Sequence, residues 1–226
     1  MNENNHSKDQ TANGADITAA FADPTFLAAV YKAIGKSSPE PIYDVDAAKI
    51  TSLSISGIVK GLYGLEYFTG LTKLGGLEYF TGLTKLGGLE YFTGLTKLDC
   101  DNNQLTELPA LPDALKWLRC YGNQLTELPA LPATLKRLDC NNNQLTELPA
   151  LPDTLKWLRC YGNQLTELPA LPDALTELRC RNNRLTELPA LPDTLKWLKC
   201  DYNQLTELPA LPDTLTELNC NNNQLT

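Results

Sequence analysis

The chain has 226 residues and a formal net charge of -8, from 19 Lys+Arg against 27 Asp+Glu. That length suits one large domain or two small ones, and the negative balance argues against nucleic acid as a partner. No apolar stretch is long enough to span a bilayer, so a membrane-crossing helix is not expected.

Residues 1–16 are polar and lack the apolar core of a secretory signal, and they are expected to form a disordered leader. Localisation therefore stays open between cytoplasmic, non-classically secreted and, for a trimmed chain, the cell surface. Residues 17–63 do not repeat and are predicted to form a helical cap and a first strand. Asp23 is placed to cap a helix that Pro24 opens. Phe26, Leu27, Val30 and Ile34 recur at helical spacing, and Gly35 is a natural stop. A turn around Pro39 and Pro41 leads to a strand-like pattern at Ile50, Leu53 and Ile55.

Residues 64–98 carry the unit Gly-Leu-Glu-Tyr-Phe-Thr-Gly-Leu-Thr-Lys-Leu three times without change, starting at Gly64, Gly76 and Gly88. Leu65, Phe68, Leu71, Leu74, Leu77 and Phe80 fall on every third residue, a period that is neither helical nor that of a plain strand. Twelve residues are too few for one coil of a leucine-rich repeat, whereas two units together fit the usual ~20–29. The local structure of this stretch is not assignable from its pattern.

Residues 95–226 repeat Leu-x-x-Leu-x-Cys-x-x-Asn-x-Leu-Thr-Glu-Leu-Pro-Ala-Leu-Pro-x-x at a constant step of twenty. This matches the leucine-rich consensus with Cys at a position more often held by Leu. The fold expected is a leucine-rich-repeat solenoid, with a curved parallel sheet on the concave side and an extended, polyproline-like convex side. Leu118 and Cys120 alternate with Trp117, Arg119 and Tyr121, so the two sets point to opposite faces of a strand. Asn103, Asn123, Asn143, Asn163, Asn183, Asn203 and Asn223 are expected to bond backbone groups where the chain leaves each strand.

Cys100, Cys120, Cys140, Cys160, Cys180, Cys200 and Cys220 each mark one coil. They are read as small buried hydrophobes, since a single file of thiols without histidine partners does not converge on a metal. The one histidine, His6, lies in the leader, so no Cys-His or Ser-His arrangement is available to the folded part. There is no phosphate-binding glycine loop. Glu107, Glu127, Glu147, Glu167, Glu187 and Glu207 recur once per coil and read as a solvated row. An enzyme is not expected, and no cofactor or metal is called for.

The concave face gathers Trp117, Arg119, Tyr121, Arg137, Trp157, Arg159, Tyr161, Arg179, Arg181, Trp197, Lys199 and Tyr202 as candidate partner-binding residues. Summed over the outward strand residues from Lys116 to Asn221, the face carries +6. All three tryptophans of the chain fall here, forty residues apart, and Trp, Tyr and Arg are enriched among binding hot spots. The complement is a protein partner with an acidic surface, or another polyanion.

The segment from Phe21 through Gly35, with Ile50-Thr51-Ser52-Leu53 and Gly64-Leu65-Glu66-Tyr67-Phe68, resembles the N-terminal cap of the internalins. The Leu-Pro-Ala-Leu-Pro coils are similar to the short repeats of the YopM and IpaH class of bacterial effectors. The resemblance implies protein–protein recognition through the concave face. IpaH-type effectors add a ubiquitin-ligase domain and internalins a secretion signal and wall anchor, and no segment of this sequence matches those. Three readings follow: a non-catalytic protein-binding module, a self-associating structural or adhesive solenoid, or the recognition part of a longer effector. The sequence stops midway through a coil at Leu225-Thr226. Solenoids need capped ends and an open edge invites pairing, so a longer parent chain or dimerisation through that end is the expectation.

Overall fold

The computed structural model describes residues 14–55, 62–75, 86, 89 and 92–226. The leader with His6, most of the second twelve-residue unit and residues 88, 90 and 91 of the third lie outside the described residues. Helix α1 spans Pro24–Ile34. Asp23 accepts hydrogen bonds from the backbone N–H groups of Thr25 and Phe26 at 2.9 and 3.0 Å. At the other end Gly35 takes a left-handed φ of 70°, which costs an L side chain but not glycine. A one-turn helix α2, Asp44–Ala47, follows before the first strand.

Among the described residues nine three-residue strands form one parallel sheet in sequence order. They are β1 (Ser52–Ser54), β2 (Lys73–Gly75), β3 (Lys97–Asp99), β4 (Trp117–Arg119), β5 (Arg137–Asp139), β6 (Trp157–Arg159), β7 (Glu177–Arg179), β8 (Trp197–Lys199) and β9 (Glu217–Asn219). Leu74 pairs with Leu53 on one side and with Leu98 on the other. The separation between Leu74 and Leu98 equals two of the twelve-residue units. From Leu98 onward each central leucine pairs with the next one twenty residues away.

That register stacks like on like. Leu115, Leu118, Cys120 and Leu125 are fully buried, and the same four positions are fully buried in each coil as far as Leu205. Each buried leucine contributes about 1.5–3 kcal/mol relative to exposure, so the ladder dominates the stability of the stack. Phe21, Phe26 and Phe68 close the N-terminal end, with ring centroids 5.7–6.4 Å apart. This trio welds the cap to the first twelve-residue unit. The Leu-Pro-Ala-Leu-Pro segments carry no helix in any described coil, because proline fixes φ and removes a backbone donor.

The asparagines do more than close their own turns. Asn143 donates from Nδ2 to the carbonyls of Cys140 and Asn141 in its own coil and of Cys120 in the preceding one. Its Oδ1 accepts from the Leu125 N–H at 3.1 Å. The arrangement recurs at Asn123, Asn163, Asn183, Asn203 and Asn223. One amide per coil therefore stitches each layer to the one before it.

One residue before each asparagine of the series from Asn103 to Asn223, the chain passes through a left-handed position. Asn102, Gly122, Asn142, Gly162, Asn182, Tyr202 and Asn222 occupy it with φ between 50° and 67°. Asn and Gly tolerate that region best. A Cβ added at Gly122 would collide with Oδ1 of Asn102, and one at Gly162 with Oδ1 of Asn142. The thiols sit in the core as free cysteines. Burial pushes the six from Cys100 to Cys200 up, Cys200 to about 12, so these are poor nucleophiles at neutral pH.

Asn143→Ala strips buried carbonyls and one N–H of their partners and is expected to lower stability by about 3 kcal/mol, read from urea unfolding. Gly122→Ala, strained in φ and crowded by Asn102, is expected to lower the melting temperature, whereas Gly35→Ala meets no neighbouring atom within 4 Å and should lower it less.

Candidate functional site

The solvent face of the sheet is built from three outward rows set by the register. The first row holds Lys97, Trp117, Arg137, Trp157, Glu177, Trp197 and Glu217, each directly beside the next. Neighbouring strands lie about 4.8 Å apart, which is the distance at which a cation rests on an aromatic face. Accordingly Lys97 sits 5.3 Å from the Trp117 ring, and Arg137 lies 4.9 Å from Trp117 and 5.0 Å from Trp157. Arg137 is a guanidinium held between two indoles.

The ladder stops at Glu177. Its carboxylate is buried, accepts a hydrogen bond from Arg159 Nε at 2.8 Å and forms an ion pair with Arg179, whose Nε lies 2.6 Å away. The three tryptophans, equivalent in the repeat, are thus not equivalent in space. Trp117 and Trp197 are each 37% exposed, while Trp157 is half-buried. Trp157, with Arg137 over its ring on one side and Glu177 beside it on the other, is the least exposed of the three.

The second row is largely self-neutralised. Arg119 pairs with Asp99 at 3.1 Å and with Asp101, Arg159 lies 4.0 Å from Asp139, and Lys199 meets Glu217 at 2.8 Å. The +6 expected of the face therefore overstates its free charge, since these cations face carboxylates of adjacent strands. Lys73, Lys97, Lys116, Lys136, Arg137 and Lys156 form no ion pair among the described residues. Uncompensated positive charge therefore concentrates around the first row over β2–β6. Lys73 and Lys97 were not nominated from sequence because they stand on the twelve-residue units, whose pattern assigned no face.

In the third row Tyr121 donates its N–H to Asp101 and Tyr161 donates its N–H to Asn141, both at 2.9 Å. Arg181 lies 5.4 Å from the Tyr161 ring. Tyr202 is displaced to the left-handed position and is 56% exposed. Two shallow clefts flank Trp117. One of about 340 Å³ is lined by Lys73, Thr96, Lys97, Lys116 and Trp117. The other, of about 270 Å³, is lined by Lys97, Trp117, Arg119, Arg137, Asp139 and Arg159. Among the described residues no group of three or more His, Cys, Asp or Glu is placed to hold a metal ion.

Burial and the neighbouring Asp99 charge push the Asp101 carboxyl up to about 7, against the opposing pull of Arg119. Burial likewise raises Asp139. The folded chain holds the Asp101 proton more tightly than the unfolded chain does. Stability from this group is thus fully present below about pH 4, the unfolded value, and is lost as pH rises toward 7. Asp101→Asn keeps an acceptor for the Tyr121 N–H, as Asn141 does for Tyr161, and removes the buried charge. Thermal melts are expected to show the variant about 4 °C or more above the parent at pH 8, with the gain vanishing by pH 4.5. A variant that melts below the parent at pH 8 would show that the Arg119 ion pair outweighs the burial of Asp101.

A family model described as leucine-rich repeats in two copies matches residues 113–153. No curated protein sequence matches the chain. Solved structures do. YopM from Yersinia enterocolitica WA-314 is 33% identical with a TM-score of 0.69, over 84% of this chain and 40% of that one. The functional domain of InlJ from Listeria monocytogenes, described as including a cysteine ladder, is 30% identical with a TM-score of 0.81, over 96% of this chain and 50% of that one. A Shigella effector leucine-rich-repeat domain is 46% identical with a TM-score of 0.50, over 51% of this chain and 53% of that one. The chain spans about half or less of the length of each. With the consensus coils, the parallel register, the asparagine ladder and these likenesses in agreement, the chain is a leucine-rich-repeat solenoid similar to the bacterial internalins and YopM.

Proposed function

We propose that the chain is a non-catalytic binding module that recognises a protein partner through the solvent face of its sheet, centred on Trp117 and Trp157. The observation that carries this reading is the cation–indole ladder of Lys97, Trp117, Arg137 and Trp157. Core packing does not require it, since the leucines and cysteines of the opposite face already bury the stack. Large aromatics on a solvated sheet cost solubility that a partner would relieve, and their rotamers are already fixed by the cations, which reduces the entropy lost on binding.

Arg119, Tyr121, Arg159, Tyr161, Arg179 and Lys199 support the face rather than contact a partner first, because their charges or backbone groups are already engaged. Trp197, Tyr202 and Arg181 extend the surface toward the last coils. The YopM, internalin and Shigella likenesses favour protein recognition over a structural lattice, and the partner itself is not named by them.

Immobilised parent chain is to be compared with a Trp117→Ala, Trp157→Ala double variant and a Trp197→Ala variant against cell lysates. A partner kept by Trp197→Ala and lost by the double variant is the expected outcome. Equal capture by all three forms would place the binding surface elsewhere.

A further inference from the structure

The lysines and arginines of the solvent face divide into those already neutralised and those held ready. In the second row Arg119, Arg159 and Lys199 each face a carboxylate of a neighbouring strand, and Arg179 faces Glu177 of its own strand. Arg137 differs. Its guanidinium is clamped between Trp117 and Trp157, and among the described residues its side chain makes neither a hydrogen bond nor an ion pair, its Nε being buried without a partner. Asp139, the nearest acid on its own strand, instead accepts from Asn141 Nδ2 at 2.5 Å and faces Arg159.

A guanidinium is a planar fork of donors whose geometry matches a carboxylate. Fixing that plane between two rings removes most of the rotamer freedom that an exposed arginine would lose on binding. Lys73, Lys97 and Lys116 ring the adjacent cleft, and Lys136 and Lys156 stand one residue before Arg137 and Trp157. None of the five has an acidic partner among the described residues. The register places Lys97 and Arg137 on opposite sides of Trp117. With cations on both faces, the indole has no free face on which a sugar or a base could stack.

We propose that Arg137 is the anchor for an Asp or Glu side chain in an acidic segment of the partner protein, with Lys97 and Lys116 taking further carboxylates beside Trp117. This rests on the reading of the sheet face as the partner surface and names the chemistry that it accepts. An acidic peptide fits it better than a sulfated glycan, because the indole is closed to ring stacking while the fork is open to a carboxylate.

The test is a titration of the chain with poly-L-glutamate, followed by intrinsic fluorescence, since the three tryptophans of the chain all lie on this face. Heparin serves as the sulfated comparison, and far-UV circular dichroism verifies that each variant is folded. The expected result is saturable binding of polyglutamate by the parent. Arg137→Gln and Arg137→Lys should each weaken it by about tenfold, the second because a lysine keeps the charge but not the fork. Lys196→Gln, beyond the ladder, should change it by less than about twofold. Arg137→Lys binding as well as the parent would overturn the fork, and heparin binding more tightly than polyglutamate would assign the face to a sulfated polyanion. Absence of any polyglutamate binding, with partner capture still lost in the Trp117→Ala, Trp157→Ala form, would sink the carboxylate anchor and leave the binding surface standing.

Discussion

Parallel strands that pair residue i with residue i+20 are the constraint on which everything else in this molecule depends. The side chain at each position must coexist with a side chain of the same position one strand spacing away, above and below. Leucine and cysteine satisfy that demand by packing, which is why the interior is a set of vertical files. Asparagine satisfies it by bonding across layers, converting backbone groups that would be stranded inside the turn into links between coils. On the solvent face the same spacing sets arginine against indole and aspartate against arginine.

Much of this was legible in the sequence because the repeat length is constant and the consensus specifies both faces. Asp23, Pro24 and Gly35 bound the first helix where their chemistry places them, and the alternation around Leu118 and Cys120 gives the inward and outward sets directly. Helix α2 was not legible: Asp44–Ala47 is a single turn, too short to show a period. The coil that precedes β3 was only half legible, since a three-residue period fits no regular element although twice twelve residues fits a coil.

The solvent face was harder to read for a different reason. Sequence shows which residues share a row but not which neighbours they choose within it. Counting charge gave a cationic surface. Pairing showed instead a row that spends its charge on itself, with Glu177 drawing in two arginines and Asp101 paired with Arg119. The three tryptophans were identical by repeat position, and only the identity of the residue one coil away, Arg137 for two of them and glutamates for Trp197, separates them. A row's behaviour belongs to pairs of coils, and a single coil's sequence does not contain it.

Pairing has a consequence at the left-handed corner, where Asn102 reaches into the space left open at Gly122 and Asn142 into that at Gly162. Through these coils the molecule has two kinds of layer, and each is shaped to receive the other. Its smallest interchangeable piece is therefore forty residues long. Excising one coil of twenty would bring two asparagine corners or two glycine corners together and set aspartate opposite aspartate or arginine opposite arginine. Excising two would restore the fit. Beyond Gly162 the alternation lapses, with Asn182, Tyr202 and Asn222 following one another and Arg159 standing opposite Arg179, so the double step belongs to the earlier coils and the later ones are matched in single steps.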